Sequence, residues 1–291
     1  MPRGVPAAGF RKTKNASVRV EKIRQVLMAS SAPAKNETDD EIAAKLAERF
    51  EVLAELTDDA VAGVTKSLIV SGPAGLGKSF TVEKALQQYD PEGNRHEIIK
   101  GYVRATGLFR SLYEFRHHGN IIVFDDADTI FFDDTSLNLL KAACDSTERR
   151  VISWRSESRF EDDDGGVIPK SFQFNGTIIF ITNHDMDSMI DRGHKLAPHF
   201  QALISRSHYI DLAMKTKRDY IIRIKQVIKS GMLREQGYNS DQESDVLTFI
   251  DKNADNLREL SLRMAIKLAA LRKSNASSFQ KKAKITCCKN G

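Results

Sequence analysis

The spacing of hydrophobic positions changes several times along this chain, and each change marks a predicted element. Ile42, Leu46, Phe50, Leu53 and Leu56 fall close to helical spacing behind Asp39 and Asp40, which predicts a helix opening at one of those two acids. Strand-like runs follow at 67–70, 96–100, 121–124, 178–181 and 208–212, separated by helical patterns over 80–89, 108–115 and 136–144. Strands alternating with helices predict a parallel sheet covered on both faces. Beyond Leu212 the pattern is helical only, at 217–228, 244–253 and 256–271, so a boundary is placed near residue 213. The expectation is an α/β domain over 39–212 and an all-α domain over 213–273. Val151–Trp154 and the alternating Phe172 and Phe174 read as a hairpin within an insertion over 150–176. No internal repeat is visible.

Charge sharpens this division. The chain has 291 residues and a formal net charge of +5. Residues 1–35 carry +7 and residues 271–291 carry +6, so the body over 36–270 carries −8. Two basic ends, an arm over 1–38 and a tail over 274–291, flank an acidic body. Such ends attract phosphate backbones through counterion release, which brings nucleic acid into view as a partner. No apolar run reaches the ~18 residues that span a bilayer, and the N-terminus lacks the apolar stretch of a secretory signal. Cys144, Cys287 and Cys288 form no CxxC pattern, which excludes a disulfide scaffold and the usual structural zinc sites. A cytoplasmic protein without a membrane partner is expected.

One motif carries chemistry directly. Gly72-Pro73-Ala74-Gly75-Leu76-Gly77-Lys78-Ser79 fits G-x-x-x-x-G-K-S/T, with the strand SLIV running in and the helix SFTVEKAL running out. This is the setting of a phosphate-binding P-loop. Its glycines let backbone N–H groups curl around an anion, and the helix N-terminus adds partial positive charge. Lys78 is expected on the β- and γ-phosphates of ATP, with the Ser79 hydroxyl on Mg²⁺. The run Ile121-Ile122-Val123-Phe124 ends in Asp125 and Asp126, 47 residues beyond Lys78. A buried strand would deliver Asp125 to the sheet edge beside the P-loop as a Mg²⁺ ligand, leaving Asp126 to polarise the attacking water. A helix N-cap is the structural alternative for these acids, and Asp128 could serve as one too.

The order of these elements resembles the AAA+ ATPases, over roughly residues 45–272. Ile178–Thr182 followed by Asn183 resembles the sensor-1 strand, whose Asn orients the attacking water. Ser205-Arg206-Ser207, just ahead of a strand, resembles the Ser-Arg-Cys segment of clamp loaders. That resemblance makes Arg206 the arginine finger that reaches a neighbouring subunit, with Arg192 as competitor. Asn256-Leu257-Arg258-Glu259-Leu260 looks like the sensor-2 motif, whose Arg258 would contact the nucleotide from a helical lid. The FDDAD, ISW and RELSLR stretches are similar to AAA+ ATPases encoded by tailed bacteriophages, which places the chain in a host cytoplasm. The resemblance implies a P-loop NTPase sheet with a helical lid, hydrolysis of ATP with Mg²⁺, and self-assembly into a ring or spiral. It departs from the family at Asp126, where Glu is usual; the shorter side chain reaches ~1.5 Å less far.

The substrate is left open among three classes. A motor, loader or other factor of replication or recombination is favoured by the basic ends. A protein-remodelling ATPase is the second, and an assembly switch controlled by ATP the third. Tyr102-Val103, after the second strand, resembles the pore-loop pair of translocating members, with a core-packed tyrosine as the alternative. Trp154, Arg155 and Arg159 could stack on and neutralise a nucleic acid strand, or Trp154 could be core.

Overall fold

The computed structural model describes residues 37–156, 159–162 and 165–289. The chain divides into two units, Met1–Ile42 and Ala43–Gly291. In the first, only the capped start of helix α1 (Asp39–Val61) is described, where Thr38 and Glu41 bond reciprocally. The rest of the expected basic arm lies outside the described residues.

The second unit is a mixed α/β fold around a five-stranded sheet. After α1 come β1 (Ser67–Ser71), α2 (Lys78–Tyr89), β2 (His96–Lys100), α3 (Ala105–Glu114), β3 (Ile121–Asp125) and a 3-10 turn, Asp128–Phe132. Next are α4 (Asp134–Ala143), the short strands β4 (Val151–Ser153), β5 (Phe160–Glu161), β6 (Val167–Ile168) and β7 (Ser171–Gln173), and the sheet strand β8 (Thr177–Thr182). Helices α5 (Met186–Asp191) and α6 (Ala197–Ile204) lead to β9 (His208–Asp211). The sheet order is β2-β3-β8-β1-β9, with every neighbouring pair parallel. β1, β3 and β8 are buried along their whole lengths, as their unbroken apolar sequence requires. Phe124 stacks on Phe180, Phe180 meets Phe131 at a tilt, and Phe131 meets Phe200 edge-on through this core.

The 150–176 insertion pairs β4 with β7 antiparallel, as the alternation predicted, and adds a second pair, β5 with β6. Trp154 is spent on packing. Its ring lies 5.5 Å from Phe109 and 5.4 Å from Phe160, and its Nε1–H donates to Ser156 at 2.7 Å. The stacking role considered for it is therefore replaced by a core role.

Five helices follow β9: α7 (Lys217–Lys229), α8 (Met232–Glu235), α9 (Ser240–Asn253), α10 (Leu262–Ser274) and α11 (Phe279–Cys287). Capping boxes at Thr216–Asp219 and Asn239–Gln242 start α7 and α9. Two expectations need correction. The helix expected from 256 begins only at Leu262, because the Ser261 hydroxyl accepts from Met264 N–H as its N-cap. The segment expected as a basic tail instead forms α11, which buries Phe279, Ala283 and Cys287. The residues after α11 meet the turn before α10: Leu257 bridges Cys288, and Lys289 N–H donates to Asn256 O at 2.7 Å. The three cysteines are free and buried. Among the described residues no helix is long and apolar enough to cross a membrane.

Candidate functional site

Three adjacent strands bring the polar residues together. β3, β8 and β1 lie side by side in parallel register, with Asp125 opposite Ile181 and Thr182 opposite Ser71. Their carboxyl ends therefore release Asp126, Asn183 and the Gly72 loop at one edge of the sheet, the usual ligand position in such folds. Gly77 caps α2 at φ 102°, a left-handed conformation that suits glycine. Gly75, at φ 74°, has a second reason as well: a Cβ there would stand 2.8 Å from the Cβ of Ser261. At that contact Leu262 N–H donates to Gly75 O at 2.7 Å, so the start of α10 is seated on the P-loop.

Lys78 is buried, and its ammonium donates to Gly72 O, to Pro73 O at 2.8 Å and to Asn183 Oδ1 at 2.9 Å. Burial pushes its pKa down to about 8, against the opposing pull of Asp126, Asp125 and Asp128. Ser79 Oγ donates to Asp125 Oδ1 at 2.9 Å, while Lys100 stands 3.3 Å from Asp125 Oδ2. Asn183 is bifunctional: its Nδ2 donates to Asp126 Oδ1 at 2.6 Å while its oxygen holds Lys78. Asp126 adopts φ 54°, the one positive φ outside glycine among the described residues, a mark of local strain at a site. Desolvation first, then Asp125 and Asp128, raise its pKa, with Lys78 and Arg263 opposing. Asp128, the other acid considered, accepts instead from Thr182 Oγ1 at 2.7 Å and faces His184 at 3.4 Å.

Together these residues floor a cleft of about 880 Å³, walled by Ala47, Phe50 and Glu51 of α1, by Arg223, Gln226 and Val227 of α7, and by Leu262, Arg263 and Ile266 of α10. The two arginines of the lid segment are placed differently. Arg258 is exposed on the turn before α10, where its N–H bonds Cys287 O, and it is absent from the cleft lining. Arg263 lines the cleft, and its charge reaches both Lys78 and Asp126. Arg223 had no part in the sequence reading. Arg206 sits before β9, at the opposite end of the sheet from the P-loop; its Nη1 donates to Ala202 O at 2.6 Å and its buried Nε has no partner. Arg192 is exposed at the end of α5. Tyr102 is 71% exposed beyond β2, which removes the core alternative for it, while Val103 packs on the core.

The donor set fits a magnesium nucleotide. No group of three or more His, Cys, Asp or Glu forms a metal site among the described residues. Mg²⁺ needs no such cage, since it binds through one or two protein oxygens plus phosphates and water. The Ser79 and Asp125 oxygens, 2.9 Å apart, are the two that would fill that role.

No family model matches the chain. A 36.7 kDa protein from the nrdC–mobD intergenic region of Enterobacteria phage T4 is 37% identical over 235 residues, covering 80% of this chain and 71% of its own. Among solved structures, a RuvB mutant from Thermotoga maritima aligns with a TM-score of 0.48 and 15% identity, covering 87% of this chain and 73% of its own. Domain III of the replication initiation protein DnaA from the same organism aligns at 0.43 and 15% identity, covering 81% and 88%.

Proposed function

This chain belongs to one family with the 36.7 kDa phage T4 protein, and we propose that it is an ATP-hydrolysing AAA+ subunit working in nucleic-acid metabolism. The observation that carries the ATPase reading is the convergence of Lys78, Ser79–Asp125 and Asp126–Asn183 on one cleft edge. The P-loop N–H groups and Lys78 would hold the phosphates of ATP. Ser79 and Asp125 would hold Mg²⁺, which supplies charge neutralisation at the phosphates when bound. Asp126 is the acceptor for the proton of the attacking water, and Asn183 fixes the direction of its carboxylate. Arg263 brings positive charge to the same end from the helical wall, in the role first expected of Arg258.

Arg206 supports assembly. It lies too far along the sheet to serve its own P-loop, so its guanidinium would act on the site of a neighbouring subunit in a ring or spiral. Such a finger contributes ~10³–10⁵ in rate in other P-loop systems. The nucleic-acid reading is supported by the basic ends of the sequence and by Lys281, Lys282 and Lys284, exposed along α11.

Wild-type and Lys78→Ala protein, compared in ATP binding and phosphate release, test the core of this reading; unchanged affinity in folded Lys78→Ala protein refutes it. Mixing inactive Arg206→Ala with inactive Lys78→Ala subunits should restore part of the turnover, because one interface then combines an intact P-loop with an intact finger. Single-stranded or duplex DNA should stimulate turnover more than an unfolded protein does. The reverse preference favours a protein-remodelling role, and no response to either favours an assembly switch.

A further inference from the structure

Two arginines, Arg150 buried and Arg223 part-buried, differ in how their charge is answered. Arg150 donates through Nη1 to Ala143 O and through Nη2 to Gly176 O, both at 2.8 Å. Arg223, on α7, lies with its guanidinium carbon 3.4 Å from the centre of the Phe50 ring, and Nη1 donates to Gln226 Oε1 at 3.1 Å. Its Nε is buried without a partner. Its Nη2 is turned to the P-loop, 4.0 Å from where a Cβ on Gly77 would stand. Burial alone pushes the Arg223 pKa down to about 10. The acids of the same cleft, Glu51 and Glu235, are exposed, and neither is ion-paired with it among the described residues. A neutral amide and an aromatic face leave most of a desolvated guanidinium's charge uncompensated.

The geometry points to Arg223 as a phosphate ligand of the bound nucleotide, serving the phosphates common to ATP and ADP. This rests on the reading of the cleft as a nucleotide site. A guanidinium presents a planar fork of donors that matches phosphate oxygens. Gly77 opens α2, where the first free N–H groups of the helix gather around an anion. The terminal phosphate is left to the other cation of the wall: Arg263 is among the charges that act most on Lys78 and Asp126, whereas the Arg223 guanidinium is turned to Gly77 at the start of α2. Arg223 therefore ties α7 to the P-loop whenever either nucleotide is present, and Arg263 adds sensitivity to the third phosphate.

Equilibrium binding of fluorescent ATP and ADP analogues to the full chain, with thermal melting in parallel, tests this. Arg223→Met keeps an apolar stem over Phe50 and removes the charge. It should weaken ATP and ADP by the same factor, about ten- to hundredfold for a charged hydrogen bond. The nucleotide-free melting temperature should hold or rise, because a part-buried charge with an unpartnered Nε is gone, while the rise in melting temperature on adding ADP shrinks. Nucleotide affinities equal to wild type overturn the inference and leave Arg223 a packing residue, as does a loss confined to ATP. If Arg223→Met does not fold, Arg223→Gln is judged by the same two affinities. Wild type that binds no nucleotide would refute the nucleotide reading itself, whereas wild type that binds normally beside an unaffected Arg223→Met refutes only the role of Arg223.

Discussion

The two sides of the cleft are built on opposite principles. At the sheet edge, polar groups answer one another: Lys78 has three acceptors, both oxygens of Asp125 face donors, and both ends of the Asn183 amide are used. On the helical wall the cations are less engaged. Arg223 has an orphaned Nε, and Arg263 makes no side-chain hydrogen bond among the described residues. The edge is preorganised by the strands that carry it, so little reorganisation is left for the moment of reaction. The wall carries charge whose natural partner is an anion. Chemistry should therefore depend steeply on the Asp126–Asn183 edge, and affinity on Lys78 together with the wall.

The largest expected effect lies at Asp126. Asp126→Asn keeps an oxygen to accept from Asn183 Nδ2, and Asn tolerates the φ of 54° better than most residues. The variant should fold and bind ATP with near wild-type affinity, yet turn it over ~10²-fold more slowly, the usual contribution of a general base. Single-turnover phosphate release measures this. Wild-type turnover in Asp126→Asn would remove the chemistry from this carboxylate and break the contrast.

Lys78 sharpens the contrast through pH. Its pKa of about 8 in the free protein lies below the ordinary lysine value of 10.5. Between these values the unfolded chain binds more protons than the folded one, so the free protein should gain stability as pH rises through 8 towards 10.5. Nucleotide affinity should move the other way. A bound phosphate favours the charged ammonium, so above pH 8 binding must recapture a proton, and ATP affinity should fall by up to ~10-fold per pH unit. Calorimetry in buffers of different ionisation enthalpy would show the proton uptake at pH 9. A pH-independent affinity between 7 and 9.5 would place the ammonium away from the phosphates.

The same contrast governs what the sequence made legible. The sheet and the edge could be read because each depends on contiguous residues: apolar runs for β1, β3 and β8, and the eight-residue P-loop with its flanking strand and helix. The wall depends on where helices begin and how they lie. Periodicity carried the last helix back to 256, but Ser261 caps it, and that shift puts Arg263 rather than Arg258 at its start over Gly75. A serine followed by an apolar run was the available signal. Phe279, Ala283 and Cys287, spaced by four, likewise marked α11 beneath its lysines. Nothing in the local pattern of α7 separates Arg223 from the other polar residues of that helix; its place is fixed by packing on Phe50 and the bond to Gln226.

The smallest expected effect discriminates between the two lid arginines. Arg263 stands at the amino end of α10, the end seated on the P-loop by the Leu262 N–H bond to Gly75 O, and it lines the cleft with its charge reaching Asp126. Arg263→Ala should weaken ATP binding several-fold and ADP binding less, because only the triphosphate places a γ-phosphate beside Asp126. It should also lower the Lys78 stability gain above pH 8, since Arg263 is one of the charges that depress the Lys78 pKa. Arg258→Ala removes an exposed side chain from a turn whose contact to Cys287 is made by the backbone, so both affinities should stay within about twofold of wild type. Side-by-side titrations of the two variants with ATP and ADP give four affinities that decide the matter. A loss of ATP affinity in Arg258→Ala greater than in Arg263→Ala would restore the sequence-based assignment and require the turn at 254–261 to reorganise when nucleotide binds.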